Sequence, residues 1–147
     1  MNVLDTLKFV NVTPPVAIND NAAYVTATLD TQGFRAGMFL IVLGALDIAV
    51  AVLKLTESDA SDMSGAADVP GADYSVAPAT LPAATDDNKL FGIGVKFTGK
   101  RKRYLDLSFT AGDGSAGTYA NVIAILAEPE IYPVTAADRG LSQHLRV

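Results

Sequence analysis

The chain has no cysteine, no tryptophan and a single histidine among its 147 residues. Without cysteine there is no disulfide scaffold, no thiolate nucleophile and no cysteine zinc site. The lone histidine, His144, falls in a C-terminal tail, where a rigid position and an orienting partner for acid–base catalysis are not expected. No G-x-S-x-G nucleophile elbow is present. Basic charge is scarce too: 11 Lys and Arg stand against 16 Asp and Glu, for a net charge of −5. Nucleic-acid binders carry the opposite balance. The segment Met1-Asn2-Val3-Leu4-Asp5 lacks a basic stretch leading into an apolar run, so no secretory signal is expected. Lack of cysteine is compatible with a reducing cytosol.

Hydrophobic residues make up 50% of the chain and charged residues 18%. That is too apolar for disorder. At this length about two-thirds of the unfolded surface is buried on folding, enough for one domain, 1–147, without staples.

The run from Gly37 to Leu55 is long and apolar enough to suggest a membrane span. Asp47 lies in its middle, at a cost of roughly 2.5–3.5 kcal/mol for insertion. Gly44-Ala45-Leu46-Asp47 reads as a turn. The flanks are rich in Ile, Val and Phe, which suit strands. The pattern therefore predicts two strands, about Gly37–Leu43 and Ile48–Thr56, paired as a buried hairpin. Both faces of each are apolar, so they need cover beyond their own sheet, from a second sheet and a neighbouring subunit.

Period-two alternation predicts further strands over Ala22–Asp30, Leu90–Thr98, Arg103–Thr110 and Tyr119–Ala127. In the first, Val25, Ala27 and Leu29 are expected to face the core. Leu7–Val12 reads as an edge strand or an arm. No amphipathic helix of ten residues appears. Six or seven strands with turn signals about every ten residues point to an all-β fold: an antiparallel β-sandwich, jelly-roll-like or a related Greek key. Three irregular parts are expected: an N-terminal arm over 1–15, a long loop over 57–87 and an extended tail over 129–147. The loop carries seven acidic residues and no basic one. A short strand is expected in it near Tyr74–Val76. A single helical turn is expected near Thr135–Arg139, capped by Thr135 and stopped by Gly140.

Gly112-Asp113-Gly114-Ser115-Ala116-Gly117 matches G-x-G-x-x-G. A dinucleotide site needs a buried parallel strand before it and a helix after it, and neither is predicted. It reads as a glycine-rich loop. Asp59, Asp62 and Asp68 lack calcium-loop spacing. Asp86-Asp87 and the Glu128/Glu130 pair read as turn and strand-end charges rather than glycosidase acids. No catalytic, cofactor-binding or metal-ligating residue is expected, and no enzyme activity. Lys100-Arg101-Lys102-Arg103 is the one basic cluster, expected at a hairpin tip. It either guards a sheet edge or docks onto an acidic surface, such as the 57–87 loop of another copy.

Several strings resemble a family of small virion proteins of tailed bacteriophages. They are Val42-Leu43-Gly44-Ala45-Leu46-Asp47-Ile48-Ala49 leading to Leu53-Lys54-Leu55-Thr56-Glu57-Ser58-Asp59, then Leu81-Pro82-Ala83-Ala84-Thr85-Asp86-Asp87-Asn88-Lys89, then Lys102-Arg103-Tyr104-Leu105-Asp106-Leu107. Thr110-Ala111-Gly112-Asp113-Gly114-Ser115-Ala116-Gly117-Thr118-Tyr119-Ala120 followed by Ile123-Ala124-Ile125-Leu126 completes the set, so the likeness runs from about Pro15 to Thr135. Such proteins are similar to head decoration, or cement, proteins. The resemblance implies a β-sandwich made in the host cytoplasm that binds the outer capsid surface, often as a homotrimer. Its implied partners are the major capsid protein and further copies of itself, with no nucleic acid, membrane or cofactor. Contact candidates are Leu7, Phe9 and Val12 in the arm, Lys100, Arg101, Lys102 and Arg103 at the tip, and Leu141, His144 and Val147 in the tail. The alternative is a receptor- or carbohydrate-binding virion module, a head-fibre base or minor tail component, using Tyr24, Tyr74, Tyr104, Tyr119 or Tyr132 as platforms.

Overall fold

A computed structural model describes residues 3–13, 23–133 and 135–145. Among these residues nine strands follow a short 3₁₀ turn at Val3–Thr6: β1 (Lys8–Thr13), β2 (Ala23–Val25), β3 (Leu29–Asp30), β4 (Phe34–Leu43), β5 (Val52–Ser58), β6 (Ala67–Asp73), β7 (Leu90–Lys96), β8 (Tyr104–Thr110) and β9 (Ala120–Pro129). They form two antiparallel sheets. The first has the order β1-β9-β4-β7; the second has β2-β8-β5-β6, with β3 also paired to β8. The fold is an all-β sandwich. Among the described residues no helix is long and apolar enough to cross a membrane.

The core lies between the sheets and follows the period of two. From the first sheet come Phe39, Ile41 and Leu43 of β4 with Val122, Ala124 and Leu126 of β9; from the second come Leu53 and Leu55 of β5 with Leu105, Leu107 and Phe109 of β8, all at most 2% exposed. Each large side chain buried this way contributes about 1.5–3 kcal/mol.

The expected hairpin over 37–56 does not form. β4 pairs with β7 and β9, while β5 pairs with β6 and β8. The stretch Gly44–Ala51 instead carries the chain across from one sheet to the other. Alternation identified both apolar segments, but adjacency in sequence does not establish pairing. The same holds for Gly99–Lys102, which joins β7 of the first sheet to β8 of the second and is not a hairpin turn.

Two other boundaries move. The strand expected over Ala22–Asp30 is split into β2 and β3, both on β8. Between them Thr26 turns its hydroxyl inward, where Oγ1 accepts the Leu107 N–H at 3.0 Å. That interruption flips the facing: Thr26 is buried and Val25 is 54% exposed, while Leu29 regains the core. The acidic segment 57–87 is not all loop. It begins inside β5 and contains β6, whose Pro70 is tolerated because β6 is an edge strand. Tyr74–Val76, expected as a strand, is a turn.

Candidate contact surfaces

The N-terminal segment is an edge strand rather than a free arm: β1 pairs with β9 from Lys8↔Leu126 to Thr13↔Val122. Val12, a candidate contact residue, is 2% exposed and belongs to the core. It sits on the inward side of β1, whereas Phe9 sits on the outward side and is half-buried. Leu7, also half-buried, lines a cleft of about 600 Å³ with Arg35, Glu128, Glu130 and Tyr132.

The tail does not run free either. Thr135 Oγ1 accepts the Asp138 N–H at 3.1 Å and Asp138 Oδ2 accepts the Thr135 N–H at 3.0 Å. This reciprocal cap starts a turn that Gly140 ends with φ of 72°. The turn closes the β1 edge, because the Phe9 N–H donates to the Arg139 carbonyl at 2.8 Å. Arg139 is 3% exposed. Its guanidinium reaches Asp5 Oδ1 at 3.4 Å, the Pro133 carbonyl at 3.2 Å and His144 Nδ1 at 2.7 Å. His144 therefore anchors the tail to a buried arginine. Leu141 is half-buried, and its N–H donates to the Ala136 carbonyl at 2.9 Å. Val147 lies outside the described residues.

At the basic cluster, three of the four side chains are engaged within the chain. Arg103 forks onto Asp30, with Nε to Oδ1 at 2.8 Å and Nη2 to Oδ2 at 2.6 Å. That hydrogen bonding holds the Asp30 carboxyl below its usual range. Arg101 lies 3.6 Å from Glu57, which is 6% exposed and also accepts the Lys102 N–H at 3.1 Å. Lys102 Nζ approaches Asp59 at 3.9 Å. The acidic segment thus meets the basic tip of its own chain. Lys100 is exposed and has no ion pair among the described residues.

The glycine-rich loop holds an anion of its own. Asp47 Oδ2 accepts N–H groups from Ser115 at 2.5 Å and Ala116 at 2.7 Å, and the Ser115 hydroxyl at 3.1 Å. Those hydrogen bonds, the one from Ala116 foremost, hold the Asp47 carboxyl below the usual range. A Cβ at Gly114 would fall on that carboxylate and displace it. Among the described residues no group of three His, Asp or Glu side chains is placed to hold a metal ion.

The outer faces of the two sheets differ in chemistry. On the second sheet, Lys54 pairs with Asp68 at 2.9 Å, and Asp106 sits with Thr56, Ser108 and Thr110. Burial raises the Asp106 carboxyl above its usual range, and its Oδ1 has no hydrogen-bond partner. The first sheet turns outward Met38, Leu40 and Val42 of β4 beside Ile123 and Ile125 of β9 and Phe9 of β1. Met38 is 39% exposed, and the other five are half-buried. This apolar face supplies none of the candidate contact residues except Phe9. The signal for it was the apolar pattern on both faces of Gly37–Leu43.

No protein-family model matches this chain, and no curated protein matches it in sequence.

Proposed function

We propose that this chain is a non-enzymatic structural protein of a bacteriophage virion that decorates the outer capsid and stabilises it by bridging major capsid protein subunits, assembled as a homotrimer. The observation that carries the reading is the apolar outer face of the β1-β9-β4-β7 sheet. An apolar face on one side of a sandwich whose other side is wetted marks a surface made for protein contact. The resemblance of the strings between about Pro15 and Thr135 to phage head decoration proteins supplies the class of partner.

Two further features support the reading. Strand order β1-β9-β4-β7 over β2-β8-β5-β6 is read here as the double Greek-key winding of a jelly roll, a fold common among capsid components. The sequence motifs with chemical overtones are committed to holding the chain itself: the glycine loop holds Asp47 and His144 holds Arg139. Each copy would add buried area across a joint between capsid subunits, repeated over the shell by multivalency.

The test is to add purified protein to expanded capsids that lack it. Co-pelleting with saturable stoichiometry and a higher capsid disruption temperature are expected. A capsid that neither retains the protein nor gains stability would overturn the reading. Lys100→Ser probes the exposed cation of the tip, and should weaken docking and reduce its salt dependence.

One observation favours the second reading, a carbohydrate-binding virion module. The cleft beside Leu7 places Tyr132, 53% exposed, next to Arg35, Glu128 and Glu130. Glycan-array binding lost in Tyr132→Ala would favour it over capsid decoration.

A further inference from the structure

We infer that the outward face of the β1-β9-β4-β7 sheet is the surface through which copies of this chain associate with one another. The inference deepens the reading above by naming the surface within the assembly, and it rests on that reading only for the copy number.

The face is defined by register. Met38 lies opposite Ile125, and Leu40 opposite Ile123, on neighbouring strands. Phe9 lies opposite Ile125 on the other side of β9. β7 contributes Gly92 and Gly94 beside Leu40 and Met38, and the Met38 thioether lies over Gly92. Of the described strand residues facing this way, Lys96 at the end of β7 is the one with a charge. The inner residues of the same strands belong to the packed core, whereas these six do not.

Size selects the occupant. Four strands at their usual spacing, over about seven residues of length, give a face of about 450 Å² in projection. That is the scale of the largest functional patches on monomers. It is about half of the ~800 Å² per partner of a standard stable interface, so flanking residues such as Leu90 and Lys96 would have to join the contact. With a net charge of −5 on the chain and no carboxylate in this outward set, the face is also the surface where two acidic copies repel each other least.

The edges of this sheet point the same way. Arg139 closes the β1 edge through its bond to Phe9, and the Tyr74 hydroxyl donates to the Gly92 carbonyl on the β7 edge at 2.9 Å. Growth by adding strands at the edges of this sheet is hindered at both ends.

The experiment is light scattering on the purified full chain across protein concentration. An oligomer is expected whose association survives high sodium chloride and tightens in sulfate, as apolar contacts do. Leu40→Lys with Ile125→Lys should weaken it by about 100-fold or more. Met38→Lys alone, at the most exposed of the apolar positions on β4 and β9, should weaken it measurably with little risk to folding. Val25→Lys, on the opposite sheet, should leave the mass unchanged. A wild-type monomer at every concentration overturns the inference, as does an oligomer that persists in folded Met38→Lys and Leu40→Lys/Ile125→Lys. Capsid binding is measured separately. A chain that associates through this face but ignores capsids would sink the decoration reading and leave this one standing.

Discussion

Asp47 Oδ2 lies 2.7 Å from the backbone nitrogen of Ala116, across a sequence separation of 69 residues. This contact ties the crossing between β4 and β5 to the loop between β8 and β9. The close approach of Gly112 to the Ala49 carbonyl reinforces it. Asp47→Ala should lower the melting temperature and speed proteolysis within Gly112–Gly117. Asp47→Asn should do the same more mildly. Gly114→Ala should resemble Asp47→Ala, since its methyl displaces the same carboxylate. Because the native Asp47 pKa is lowered, its contribution is full above about pH 4 and is lost as pH falls through the native value. Melting curves from pH 7 to pH 3 should show the wild type losing stability in acid faster than Asp47→Ala.

Asp106 predicts the opposite sign. Burial raises its pKa, so the native state binds a proton more readily than the unfolded chain, and this group's contribution becomes less favourable as pH rises through that window. Its Oδ1 is an orphan acceptor. Asp106→Asn should therefore stabilise the protein at pH 7 by on the order of 1 kcal/mol. That corresponds to roughly 2–4 °C in melting temperature at this chain length. The gain should shrink as pH falls and Asp106 itself becomes protonated. A variant less stable than wild type at pH 7 would refute the assignment.

The ion pairs of the basic tip should not rank by length. Arg103 binds Asp30 bidentately, but both partners are over 40% exposed. Arg103→Ala should cost under about 1 kcal/mol. Arg101 is farther from its partner at 3.6 Å, yet that partner is the buried Glu57. Arg101→Ala leaves a buried carboxylate with less compensation and should cost about 1–3 kcal/mol. Denaturant midpoints of the two variants check the order.

Arg139 should behave as a latch. Arg139→Ala should cost about 1–3 kcal/mol, because Asp5, His144 and the Pro133 carbonyl all lose a donor. It should also increase hydrogen exchange at the Phe9 amide, whose acceptor is the Arg139 carbonyl. Exchange at Phe9 unchanged from wild type would mean the edge is closed without the side chain.

The strands at Leu90–Lys96 and Tyr104–Thr110 were legible because large apolar residues alternate with small or polar ones, and Ala120–Pro129 because it is rich in β-branched residues. Pairing was not legible. The turn-like Gly44–Asp47 and Gly99–Lys102 connect opposite sheets, and the length of an irregular link does not reveal which side it lands on. The facing of Ala23–Asp30 failed at Thr26, where a hydroxyl takes the place of a ladder hydrogen bond. The apolar outer face was legible in part, from the two apolar faces expected for Gly37–Leu43, but the same expectation for Ile48–Thr56 failed, because Ile48–Ala51 lies in the crossing and β5 turns Lys54 and Thr56 outward. Asp47 in its nest and Arg139 in its cluster were not, since each depends on groups far away or on a tail folding back.

The pairing of β1 with β9 also orders events in time. Lys8 must find Leu126, 118 residues later in the chain, and β4 must wait for the same strand to flank it. On the ribosome the first sheet therefore cannot close until β9 has emerged, leaving Val12, Phe39 and Ile41 without their permanent neighbours until then. Long-range closure of this kind makes folding slow and exposes nascent strand edges to other chains. Expression would then be limited by the interval between synthesis of β4 and release of β9, and should improve at lower temperature or with added chaperone.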